Sequence, residues 1–88
     1  MTIEEYKEAI FHHLEKANDC EEVVQIINRS IERMKERNID TLMILDYLHK
    51  LYNALKQVAP TDFDPVHWCN IRCAVMYLNK ITQNWYNE

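Results

Sequence analysis

The stretch that decides the fold is residues 19–40, DCEEVVQIINRSIERMKERNID. Asp19 is a good helix N-cap, because its carboxylate can accept from the free amides of the first turn. Glu21 and Glu22 follow where the helix end carries partial positive charge. Cys20, Val23, Val24, Ile27, Ser30, Ile31 and Met34 then recur at helical spacing as one narrow stripe. Gln25, Arg29, Glu32 and Glu36 fall on the opposite face. Lys35 and Arg37 suit the negative C-terminal end, and Asn38 fits the left-handed cap position that glycine usually fills. Asp40 then caps the next helix. The stretch predicts a helix over 20–37, a short connection, and the start of a second helix.

Upstream, Thr2 with Glu5 three residues on is a capping box. The apolar positions Ile3, Tyr6, Ile10, Leu14 and Ala17 keep the same period, which predicts a helix over 3–17. Downstream of Asp40, the residues Ile44, Leu45, Tyr47, Leu48, Leu51, Tyr52, Leu55 and Val58 cover about half of a helix over 41–58. Its wet side is Asp46, His49, Lys50, Asn53, Lys56 and Gln57. A loop is expected from Ala59 to Asp64, since Pro60 disfavours helix at the residue before it. Asp64-Pro65 reads as an N-cap followed by proline at the first helical position. The last helix is expected over 65–86, with Ile71, Ala74, Val75, Leu78, Ile81 and Trp85 as its main stripe. Short connections make sequential helices antiparallel neighbours. The expectation is an all-α, up-down-up-down four-helix bundle forming one domain over 1–88. A three-helix core with one arm exchanged between subunits is the alternative.

Composition supports this class. The 88 residues contain no glycine and two prolines. Phosphate loops, dinucleotide fingerprints and nucleophile elbows all need glycine at fixed positions and are excluded. Net charge is −4, and residues 1–40 hold six Lys/Arg against ten Asp/Glu while residues 41–88 hold four of each. An acidic balance argues against a phosphate-backbone binder. The first ten residues are too acidic for a secretory leader, and no apolar run, Leu42 to Leu45 included, is long enough to span a bilayer. A cytoplasmic protein with free thiols at Cys20, Cys69 and Cys73 is therefore expected, with no bridge between Cys69 and Cys73, one turn apart.

The last helix is the unusual element. Arg72 and Lys80 are its only Lys, Arg, Asp or Glu residues, where an outer helix normally has a charged face. A second, softer stripe of Cys69, Cys73, Met76 and Tyr77 lies away from the main one, and amides occupy Asn70, Asn79, Gln83 and Asn84. Burial on two sides within the chain would explain this, with Cys and Met as adaptable packing residues. An interface explains it equally, because aromatic and Met enrichment with charge depletion marks interface cores. The functional expectation is a non-enzymatic interaction module that needs no cofactor. Its contact would centre on Cys69, Cys73, Met76 and Tyr77, with Lys80 and Asn84 at the rim. A homodimer is the first partner to expect, as symmetric dimers are the commonest oligomers.

Other chemistry is weaker. In an up-down bundle His13, Cys20, His67 and Cys69 share one pole and are zinc-ligand types, so a metal- or thiol-based sensor is the alternative function. The plain reading is a hydrogen-bonded imidazole at His67 and a small core residue at Cys20. Asp46…His49 and Asp64…His67 echo one element of di-iron bundles but lack the inward glutamates. Arg29, Arg33 and Arg37 form a stripe that nucleic acid could use; the plain reading is a solvated face neutralised by Glu32 and Glu36. A helix-turn-helix use of residues 20–58 would offer Lys50 and Lys56 against Asp46, a poor phosphate surface. Catalysis would need an oxyanion site that no spacing supplies.

Overall fold

A computed structural model describes residues 2–58, 61 and 64–86, Tyr86 by its backbone. The four helices are α1 (Ile3–Glu15), α2 (Cys20–Glu36), α3 (Thr41–Lys56) and α4 (Pro65–Tyr86). They form the all-α four-helix bundle expected. Most of the loop expected between Ala59 and Asp64, and the Tyr86 side chain, lie outside the described residues.

Each start is set by the cap the sequence offers. Thr2 Oγ1 accepts from the Glu5 amide at 3.1 Å, Asp19 Oδ1 from Glu22 at 2.8 Å, Asp40 Oδ1 from Leu42 at 2.8 Å and Asp64 Oδ1 from His67 at 2.9 Å. These satisfy amides that have no partner inside their own helix. Two ends come earlier than the apolar period suggests. The last bonds of α1 run three residues back, from Ala17 N to Leu14 O, and those of α3 from Gln57 N to Ala54 O. The final turn tightens, so Ala17 stays buried though it lies past the helix.

The α2–α3 connection is a Schellman turn. Asn38 takes φ 59°, its amide donates to Lys35 O and the Ile39 amide donates to Met34 O, both at 3.0 Å. Ile39 is thereby laid on the core that includes Met34.

One buried cluster draws on all four helices: Ile10 and Leu14 from α1, Val23 and Ile27 from α2, Ile44, Tyr47, Leu48, Leu51 and Leu55 from α3, and Ile71, Ala74 and Leu78 from α4. The chain runs up-down-up-down, but adjacency departs from sequence order. α2 lies against α1 and α4, and α3 against α1 and α4, while α2 and α3 touch least despite their short connection. Tyr6 of α1 touches both. Its hydroxyl donates to Ser30 O of α2 at 3.0 Å and its ring meets Tyr47 of α3 edge-on at 5.3 Å, so α1 links the two. Tyr47 donates to Ser30 Oγ at 2.9 Å, and Ser30 donates to Ile27 O at 2.6 Å. Burial raises the Tyr47 phenol far above its ordinary value. It stays neutral and hydrogen-bonded, as buried polar groups must.

Candidate functional site

Helix adjacency has a consequence for α4. Because α2 and α4 become neighbours, and both run the same way, their facing edges meet at three points along the seam. Cys20 and Cys73 form a disulfide across the first meeting, with Cα atoms 5.9 Å apart. Tyr77 donates its hydroxyl to Asn28 Oδ1 at 2.5 Å across the second. Lys35 places its ammonium 5.5 Å from the Trp85 ring centre across the third, an attractive arrangement for a cation over indole. A fourth tie, Asn70 Nδ2 to Ala17 O at 2.8 Å, fixes the start of α4 to the α1–α2 connection.

The disulfide corrects the expectation of three free thiols. Cys20 also proves exposed rather than a small core residue. The reason is adjacency: parallel α2 and α4 bring two cysteines 53 residues apart to bonding distance, which spacing along one helix could not reveal. Cys69 remains free and exposed, with no bridge to Cys73 one turn on. Asn70, which its residue type grouped with the surface amides, is 4% exposed and belongs to the core.

A shallow groove of about 480 Å³ follows this seam, lined by Cys20, Val24, Cys69, Arg72, Cys73, Met76, Tyr77 and Lys80. Five of the six residues singled out on α4 therefore share one surface: Cys69, Cys73, Met76, Tyr77 and Lys80. Asn84 is exposed but lies beyond the lining. Met76 stands 69% exposed at the centre. Tyr77 is half-buried and its hydroxyl is already engaged, so it forms the wall rather than a free anchor. Val24, Arg72 and the Cys20 sulfur were not foreseen as part of this surface. The stripe on α2 pointed to Val24 only as core.

Arg72 and Lys80 line the groove, and Glu21 and Glu32 are exposed on the neighbouring α2. Among the described residues neither Arg72 and Lys80 on α4 nor Glu21 and Glu32 on the exposed face of α2 takes part in an ion pair. Lys7 and Lys50, on α1 and α3, are matched. Lys50 lies 3.4 Å from Glu4 and 3.3 Å from Asp46, and Lys7 lies 3.0 Å from Glu4. These partners hold the Glu4 carboxyl below its usual range, Lys7 contributing most.

The remaining candidates do not assemble. His13, Cys20, His67 and Cys69 lie at one end of the bundle as topology requires, yet Cys20 is spent in the disulfide. His67 Nδ1 sits 2.8 Å from Asp64 Oδ2, and the His67 amide and imidazole together hold Asp64 below its ordinary value. Among the described residues no group of three or more His, Cys, Asp or Glu is placed to hold a metal ion. Asp46 is paired with Lys50 rather than turned inward. The arginine stripe divides: Arg29 borders a depression with Asp19, Glu21 and Glu22, while Arg33 and Arg37 belong to the opposite end. None of the three is paired with Glu32 or Glu36 among the described residues, and all three are exposed. Among the described residues no helix is long and apolar enough to cross a membrane. No protein-family model, no curated protein and no solved structure matches the chain.

Proposed function

We propose that this protein is a small non-catalytic interaction module that self-associates through the α2–α4 groove. The observation that carries the reading is the exposed Met76 in an apolar trough whose lining includes Arg72 and Lys80, with Glu21 and Glu32 exposed on the adjoining helix α2. A two-fold axis over the groove sets α4 of one copy on α2 of the other. The apolar centre meets itself, and Arg72 and Lys80 approach the α2 edge that carries Glu21 and Glu32. An isologous contact needs this self-complementarity. A foreign partner would not require both signs on one face. Apolar burial supplies affinity while the rim charges set register and orientation.

The cytoplasmic location expected from the sequence agrees with the free, exposed Cys69 thiol, whereas the Cys20–Cys73 bond favours an oxidising environment. A reducing compartment also opens disulfides, so assembly is best measured with and without a dithiol. Sedimentation equilibrium on the whole chain is expected to give a concentration-dependent dimer. Met76→Glu gives a monomer of unchanged helicity. Lys80→Glu and Glu32→Lys each weaken the dimer, and the two together restore it. A wild type that stays monomeric at high concentration in both redox states overturns the reading, as does a double variant no better than the singles.

A further inference from the structure

The end of the bundle remote from the disulfide holds a second concavity, of about 390 Å³ and within the range of small-molecule sites. It is assembled from three helix ends. The first turn of α1 supplies Ile3 and Tyr6, the Schellman turn supplies Met34 and Ile39, and the first turn of α3 supplies Met43. Arg33, in the last turn of α2, and Arg37, its C-cap, also line it. The floor is apolar and already dry of polar need: the Tyr6 hydroxyl is engaged by Ser30 O, and the Met34 carbonyl accepts from the Ile39 amide. Met43 is 46% exposed although it faces this recess. Methionine is the side chain best able to remould around an apolar guest.

The two guanidiniums are the second, independent observation. Like charges one turn apart on a helix repel, and neither arginine is in an ion pair among the described residues. Their field reaches the recess, since both act on the Tyr6 phenol, lowering a pKa that burial raises. The nearby Asp40 carboxylate is committed to the Leu42 amide. An apolar recess lined by two arginines that pair with no carboxylate among the described residues is complementary to an apolar body ending in one carboxylate, which a guanidinium can bind with paired hydrogen bonds.

We propose that this recess is a binding site for a small amphiphilic carboxylate, of the medium-chain fatty acid class, with the chain over Met34, Ile39 and Met43 and the carboxylate on Arg33 and Arg37. The site is separate from the α2–α4 groove and stands whether or not the chain dimerises.

The test is an amide-resolved NMR titration of the full chain with sodium decanoate, kept below its micelle concentration, beside decanol and decyltrimethylammonium. Decanoate is expected to shift the amides of Tyr6, Met34, Ile39 and Met43 in a saturable way. Decanol and the cationic probe bind at least about tenfold more weakly, the scale of one charge-assisted contact. Arg33→Gln with Arg37→Gln removes that preference, and lysine at both positions keeps part of it. Three outcomes overturn the proposal: no saturable shift, equal response to all three probes, or decanoate shifts that map to the α2–α4 groove. Shifts of the recess amides with protein concentration alone would assign the recess to a second copy and overturn it too. The probe series on the wild type decides the matter without any substitution.

Discussion

Helix α2 has two seams, and they are built on different terms. Toward α1 and α3 it is sealed: Ser30 receives Tyr47, gives to Ile27 and shares its carbonyl with Tyr6, and Ile27 and Val23 are fully covered. Toward α4 the main stripe of α4 is buried just as well at Ile71, Ala74 and Leu78. The outer edge, however, is held by separate ties at Cys73, Tyr77 and Trp85, with Met76 left in solvent between two of them. A sealed seam supplies stability and leaves nothing to bind. A tied seam leaves apolar surface accessible, which is what an interaction site needs.

The sharpest way to break this contrast is to cut each seam at its centre. Leu48→Ala, inside the sealed core, is expected to cost about 3–4 kcal/mol through lost transfer energy and a residual cavity. Met76→Ala should change monomer stability by less than about 0.5 kcal/mol, as at other exposed sites. Urea denaturation at low protein concentration checks both, and similar losses at the two positions would erase the distinction. Opening the Cys20–Cys73 bond comes next. The bond closes a loop of 53 residues in sequence separation, so reduction is expected to cost about 4 kcal/mol and to lower the thermal midpoint by about 16 °C or more. A midpoint indifferent to reductant would mean the α2–α4 edge rests on packing alone.

A subtler cut falls on the polar network of the sealed side. Ser30→Ala leaves the buried Tyr47 hydroxyl without its acceptor and is expected to cost about 1–3 kcal/mol. Adding Tyr47→Phe should recover much of the loss, because removing both partners leaves no orphan. A double variant as unstable as the sum of the singles would assign the effect to packing.

The smallest effect is electrostatic. Asp64 has a folded pKa below its ordinary value of 3.8. Its contribution to stability is present above that value and is lost as pH falls through the lower folded pKa. Asp64→Asn keeps a capping oxygen but removes the charge, so the acid limb of the stability profile should become slightly shallower while the neutral plateau barely moves. An unaltered acid limb would show that Asp64 acts only as a cap.

Much of the fold was legible in the residues. Thr2, Asp19, Asp40 and Asp64 mark helix starts because their side chains meet amides only a few residues away, a local requirement that any context leaves intact. Asn38 marks a left-handed turn for the same reason. The apolar stripes identify the core because helical period is also local. The charge-poor α4 likewise pointed to a surface, and Cys69, Cys73, Met76, Tyr77 and Lys80 do line one groove.

What the tertiary structure alone decided is which helices meet. The chain order suggested α2 beside α3; in the structure α2 lies beside α4 instead. From that single choice come the Cys20–Cys73 bond, the Tyr77–Asn28 contact, Val24 and Arg72 in the groove, and the separation of Arg29 from Arg33 and Arg37. Each depends on residues far apart in sequence being brought within a few ångströms. Helical spacing gives every helix its apolar face, but several arrangements bury those faces about equally well, and only the fit of particular side chains in the assembled core selects among them.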